Sequence, residues 1–362
     1  MIWIYITSFI IAYYIYKRSR LIKDSFVNYK KIVVTPTKSI YNGLQMNLYS
    51  KNIFTKTIAD KIKNIYPIKS ISYGTNSYQN ILDTNKYSNI ISFIQEVAYY
   101  EYYNNNKITD VRYICSIGLE KFTFITNTNS PIRNWTNLND DMTIGTLEKN
   151  TGSYLSLIKI KEALNLNFSV KTYKKITSAI ANDIKNTNIN GFFVITSHPD
   201  INIKNLQEKM PLRIFGTDGI DKTILDIIFP NLKKTKIDLT NYNIFTDIPN
   251  TLSSSIDVIC NKNFSDYNGY NLISTIFKNF MQIKTYGNDN YKLNMKDFNP
   301  EYLYLTNDKY QLHNGVYNFY KEIGLITNNN SNACKYIVGT QQCNRNSINN
   351  YKLLGNSILI DE

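Results

Sequence analysis

Histidine is nearly missing from this sequence, with two in 362 residues, which leaves little material for imidazole acid–base or triad chemistry. His198, in a turn before Pro199, and His313, near the C-terminus, read as hydrogen-bonded structural residues. Cysteine is equally sparse. The four, Cys115, Cys260, Cys334 and Cys343, lie too far apart for a zinc knuckle, and no pair has the two-residue spacing of a metal or redox motif. Cys115 and Cys260 fall in apolar runs and read as buried thiols, whereas Cys334 and Cys343 close a tail loop if the compartment is oxidising. No activated nucleophile is apparent, and Glu96 with Glu101 reads as a solvated helix face rather than an acid/base dyad. These absences argue against an enzyme and against a metal or cofactor. There is no internal repeat. Dense basic patches interleaved with aromatics are also lacking: the net charge is +13, yet beyond Lys17-Arg18-Ser19-Arg20 and Lys233-Lys234-Thr235-Lys236 the basic residues are scattered, so nucleic acid is not an expected partner.

What is present is enough apolar material to fold. The chain is 43% hydrophobic and 14% aromatic, with 30 Tyr, which excludes wholesale disorder. Its length suits one large domain or two lobes. Abundant Asn, Lys, Ile and Tyr are what AT-rich codons supply. At the N-terminus, Ile2 to Tyr16 is apolar and aromatic but for Thr7 and Ser8, and the basic run 17–20 follows at once. No charged region precedes it and no small-residue cleavage site follows, so a retained membrane anchor is expected rather than a removed leader. By the positive-inside rule those charges would hold the body on the cytoplasmic side.

From Lys31 onward, short β-branched runs alternate with helical stretches, the pattern of βαβ units. Strands are expected at Ile32–Val34, Ile68–Tyr73, Val111–Ser116, Phe122–Thr126, Met142–Gly145, Ser169–Tyr173, Gly191–Thr196 and Thr251–Asn261. Helices are expected at Phe54–Tyr66, where Ile58, Ile62 and Ile65 keep helical spacing, at Tyr87–Tyr103, from Thr151 through Leu164, at Thr177–Lys185, and around Leu272–Phe280. Thr35 through Tyr49 reads as a polar insertion, and Pro230 to Pro249 as irregular. Thr151-Gly152-Ser153 is a good helix start whose backbone N–H groups can hold an anion.

Five stretches in order resemble the TAXI-type solute receptors of TRAP transporters. They are Phe93-Ile94-Gln95-Glu96-Val97-Ala98-Tyr99-Tyr100; Ser130-Pro131-Ile132-Arg133-Asn134-Trp135-Thr136-Asn137-Leu138; Ile144-Gly145-Thr146-Leu147-Glu148-Lys149-Asn150-Thr151-Gly152-Ser153; Asn190-Gly191-Phe192-Phe193-Val194-Ile195-Thr196-Ser197-His198-Pro199; and Leu312-His313-Asn314-Gly315-Val316 with Tyr320-Lys321-Glu322-Ile323-Gly324-Leu325. Each is weak alone; in register they span roughly Lys31 to Thr327.

The resemblance implies an α/β, two-lobed type II periplasmic-binding-protein-like fold. Residues 1–23 would be the anchor, 31–118 with 220–327 one lobe, 119–219 the other, and 328–362 a tail. It implies closure on a small anionic solute, an amino acid or a dicarboxylate, and a membrane partner protein. The residues it puts in the pocket are Thr35, Thr37, Gly74, Thr75, Asn76, Ser77, Gln95, Tyr99, Thr151, Gly152, Ser153, Tyr154, Thr196 and Ser197. The sequence departs from the family where gripping is done: Pro36 interrupts the first loop, and Glu148 and Lys149 replace glycines in the second. A second reading therefore stands beside the receptor, a structural or interaction protein that keeps the fold and docks partners, as in a large DNA virus, on a virion or host membrane.

Overall fold

The computed structural model describes residues 44–49, 53–73, 76–106, 110–230, 232–242, 244, 248–279 and 311–322. The anchor at residues 2–16, the strand at 32–34, Thr35, Thr37, Gly74, Thr75 and the tail cysteines lie outside them. Among the described residues, no helix is long and apolar enough to cross a membrane.

The first described units are parallel strands joined by helical crossovers. β1 (Gln45–Leu48), α1 (Ile53–Ile65), β2 (Ser70–Tyr73), α2 (Ser77–Lys86) and β3 (Ile90–Gln95) follow one another, and β1 pairs in parallel with both β2 and β3. Ile58 and Ile62 of α1 are buried, as their spacing predicts. Three expectations need correcting. Gln45–Leu48 is a strand, not part of a polar insertion. The helix expected over 87–103 is strand β3 followed by α3 (Glu96–Asn106), because every residue from Ile90 to Gln95 is buried on both faces between β1 and a neighbouring strand. Such a doubly covered strand reads as a continuous apolar run without alternation. Helix α2 takes the stretch between, opened by Asn76, whose side chain accepts the Gln79 N–H at 2.8 Å.

β4 (Val111–Asn127) unites two expected strands into one of 17 residues. The later units are β5 (Thr143–Leu147), α4 (Gly152–Ala163), β6 (Ser169–Tyr173), α5 (Ser178–Lys185), β7 (Gly191–Thr196), α6 (Ile201–Gln207), β8 (Leu212–Phe215) and α7 (Lys222–Ile228). The stretch 230–249, expected to be irregular, contains a strand, β9 (Lys233–Lys236), before β10 (Asn250–Asn261). α8 (Asp266–Lys278) and α9 (Asn314–Glu322) close the described chain.

The sheet order is β2-β1-β3-β10-β4-β7-β5-β6, with β8 on β4 and β9 on β10. The two long strands β4 and β10 lie antiparallel at its centre and serve both flanks. β10 pairs with β3 through Ile256–Cys260 and with β9 through Asn250–Ser253. β4 meets β10 through Val111–Lys121, then β7 and β8 through Lys121–Asn127. Its register against β10 slips between Ile256 and Asp257 and again between Val258 and Ile259. Such irregularities bend and twist a strand locally.

Around β7 the core alternates with strand period. Phe193 and Ile195 join Phe122, Phe124, Trp135 and Leu157 on one face, whereas Phe192 and Val194 join Ile125, Ile180 and Ile203 on the other. Each fully buried Phe stabilises by roughly 1.5–3 kcal/mol. Trp135 stands edge-on to Phe124 and Phe193 and donates its indole N–H to the Gly216 carbonyl at 2.8 Å. At the other flank Tyr99, Tyr102, Ile81 and Ile94 pack with Tyr113 and Ile259. Cys115 and Cys260 are buried free thiols, as expected. His313 donates from Nε2 to the Phe264 carbonyl at 2.7 Å and accepts the Gly315 N–H at Nδ1, a structural role.

Candidate functional site

The C-terminal end of β3 is where the expected residues converge. Gln95 is 4% exposed, and its side chain joins three separate segments. Its Oε1 accepts the Gly152 N–H at the start of α4 at 3.0 Å, and its Nε2 donates to a Glu120 carboxylate oxygen on β4 and to the Ile195 carbonyl on β7 at 3.4 Å. Ser77, at the start of α2, accepts the Gln95 N–H at 3.1 Å, and Ser153 accepts the Ile195 N–H at 2.9 Å. Ser77, Gln95, Gly152 and Ser153 are thus one bonded set drawn from both flanks of the sheet. A Cβ on Gly152 would overlap both Gln95 Oε1 and Val97 Cγ2, so only glycine permits this approach.

The other expected residues are placed differently. Asn76 and Thr151 cap their helices, Thr151 taking the Tyr154 N–H at 3.2 Å, and Tyr154 is half-buried on that first turn. Tyr99 is 1% exposed and stacks on Tyr103 within the core, so it faces away from the junction. Burial pushes its hydroxyl well above the usual tyrosine range. Thr196 is committed to Asp200, while the neighbouring Ser197 hydroxyl is buried with no hydrogen-bond partner among the described residues.

Sequence reasoning missed the acidic character of the junction. Glu96, expected on a solvated face, is 6% exposed and must be reassigned. Its carboxylate accepts the Ser255 N–H at 3.0 Å, the Ser255 hydroxyl at 2.9 Å and the Tyr100 hydroxyl at 3.0 Å. Burial, with the nearby Asp257 carboxylate, lifts it to about 7. Asp257 accepts from Ser116 at 2.6 Å and Ser255 at 2.7 Å, and Ser116 meets the Tyr113 hydroxyl at 2.6 Å. Ser254 takes the Val97 N–H at 3.3 Å, so the crossing strand β10 also caps α3. The signal available beforehand was the polar Ser253-Ser254-Ser255 and Asp257 inside an otherwise apolar strand, which a doubly buried position makes costly unless each group is bonded.

On the far side of β7, His198 lies between the Thr123 hydroxyl at 2.8 Å and the Tyr242 hydroxyl at 2.7 Å. Burial first, then the Lys121 ammonium, holds it down to about 3, so it stays neutral. Among the described residues no group of His, Cys, Asp and Glu has the arrangement of a metal centre. The site offers fixed amides, hydroxyls and carboxylates.

A family model described as the NMT1-like family matches residues 77–324. No curated protein matches the sequence. Among solved structures, the periplasmic binding protein BugD is 12% identical with a TM-score of 0.46, covering 78% of this chain and 97% of that one. An ABC uptake transporter substrate-binding protein from Streptococcus pneumoniae with bound histidine is 14% identical with a TM-score of 0.45, covering 68% and 93%. A TctC solute-binding protein from Polaromonas is 10% identical with a TM-score of 0.40, covering 65% and 83%.

Proposed function

The chain belongs to the NMT1-like family, and from that premise we propose that it is a solute-binding protein of the TAXI receptor type, whose two flanks close as lobes on a small molecule. One lobe takes the chain up to residue 118 and again from β10, and the other takes 119–249, since Ile220, Leu225 and Phe229 pack with Phe193, and Ile237, Leu239 and Tyr242 with Phe192; β4 and β10 are the crossings. The observation that carries this reading is Gln95: one side chain from β3 holds the start of α4, β7 and a carboxylate on the crossing strand, so a solute entering there touches every segment that must move. Of the two expected solute classes, an amino acid fits better than a dicarboxylate. Glu96, Glu120 and Asp257 crowd buried carboxyl groups at the junction, and an ammonium group pairs with them while a further carboxylate does not. Residues 2–16 tether the protein to a membrane, where a partner protein takes over the solute.

One observation favours the second reading, a fold kept for docking partners without a solute. The α4 N-terminus, the natural anion seat, is already filled by the Gln95 amide. A thermal-shift series with amino acids and dicarboxylates separates the two. Binding at a hundred times Kd stabilises by about 2.7 kcal/mol, so the receptor reading expects a melting rise with an amino acid that Gln95→Leu abolishes. No rise with any solute at millimolar concentration would sink it.

A further inference from the structure

A cavity of about 120 Å³ opens between α3, α4 and α7 and is not lined by Gln95. It is close in size to cavities of about 150 Å³ that hold a benzene ring. Val97, Ile227, Phe229 and Leu232 give it an apolar wall, and Ile227 stands at the rim with 72% of its surface exposed. Ser156 lines it from α4. That residue is 1% exposed, and its hydroxyl has no hydrogen-bond partner among the described residues. A buried hydroxyl left unmet is costly, and a ligand oxygen would meet it.

Lys159 lies three residues on, on the same helix face as Ser156. Its Nζ is 3.9 Å from a Glu101 carboxylate oxygen, beyond hydrogen-bond reach, and 5.6 Å from the Phe229 ring centre. An ammonium and an unmet hydroxyl thus face one hollow of mixed lining, with Tyr100 and Glu101 beside its apolar wall.

We propose that this cavity, walled by α3 and α4, is a second binding site, distinct from the Gln95 junction, for a small monocarboxylate with a branched aliphatic body. The carboxylate accepts from Ser156 Oγ and Lys159 Nζ, taking the place of Glu101, and the body lies against Ile227, Phe229 and Leu232.

Titration calorimetry of the full chain with isovalerate tests it, with 3-methylbutan-1-ol as the uncharged probe. Isovalerate should bind, and the alcohol should bind at least about tenfold more weakly, since it lacks the charge-assisted contact. Two variants at partly or largely exposed positions, Lys159→Gln and Ile227→Asn, should each weaken isovalerate about tenfold while the circular dichroism spectrum stays unchanged. Absence of isovalerate binding at millimolar concentration overturns the proposal. So does binding that both variants leave intact, which would put the ligand elsewhere, and so does an alcohol that binds as tightly as the acid.

Discussion

At Gly152 a single methyl group decides whether the two flanks of the sheet can meet. Gly152→Ala forces Gln95 and Val97 to shift, and overpacking of that kind costs about 1–3 kcal/mol; urea denaturation should show the loss. Protonation at the junction gives a second test. Glu96 is raised from 4.5 to about 7, so the folded state keeps a proton the unfolded chain releases. Its contribution is therefore full below about 4.5 and is lost as pH rises through about 7. His198 runs the other way: lowered from 6.5 to about 3, it contributes fully above about 6.5 and loses this as pH falls toward 3. In a Glu96→Gln variant, stability should fall more steeply with acid between pH 7 and 4.5 than in the wild type, because the opposing term is gone. An unchanged slope would mean that Glu96 is solvated after all. The Thr151-Gly152-Ser153 start was legible from its capping chemistry, whereas Gln95 was singled out only through the family resemblance. Glu96 was not legible, since helical spacing from one end places it beside Glu101, and only the strand crossing above it takes it out of water.

Elements were legible where one face is wet. α5 buries Ile180, Ala181 and Ile184 at helical spacing and falls within a residue of its expected bounds, and β6 matches its bounds although Val170 and Tyr173 go to opposite faces. β3 defeated the same reasoning, since Ile90-Ile91-Ser92-Phe93-Ile94 has no polar side to set the period. β9 escaped for the opposite reason: its four residues, three of them lysine, form an edge strand that charge protects rather than burial. The Trp135 turn is an element-scale test. Trp135→Ala empties the space between Phe124 and Phe193 and leaves the Gly216 carbonyl without its donor, for an expected loss of about 3–5 kcal/mol. Trp135→Phe keeps most of the packing and should cost clearly less in the same denaturation series.

For the whole molecule, the alternation of strand and helix announced an α/β sheet and the long strand β10, but not that β4 would run unbroken beside it through the centre. The proposed membrane tether belongs to this scale too. Deleting residues 2–16 should move the protein from the membrane pellet to the supernatant, and protease protection of the full chain in isolated membranes reads which side the body occupies. Recovery in the pellet after the deletion would refute the tether. The central pair also sets a schedule for biosynthesis. Thr251 of β10 bonds the Phe122 carbonyl of β4 at 2.6 Å, and the two lie 129 positions apart. A ribosome adding roughly 5–20 residues per second needs on the order of ten seconds between them. For that interval the nascent chain carries β3 and β4 with their shared neighbour missing, two apolar strand edges open to any other chain. A holding chaperone that covers those edges should therefore raise soluble yield more than any change made to the finished surface.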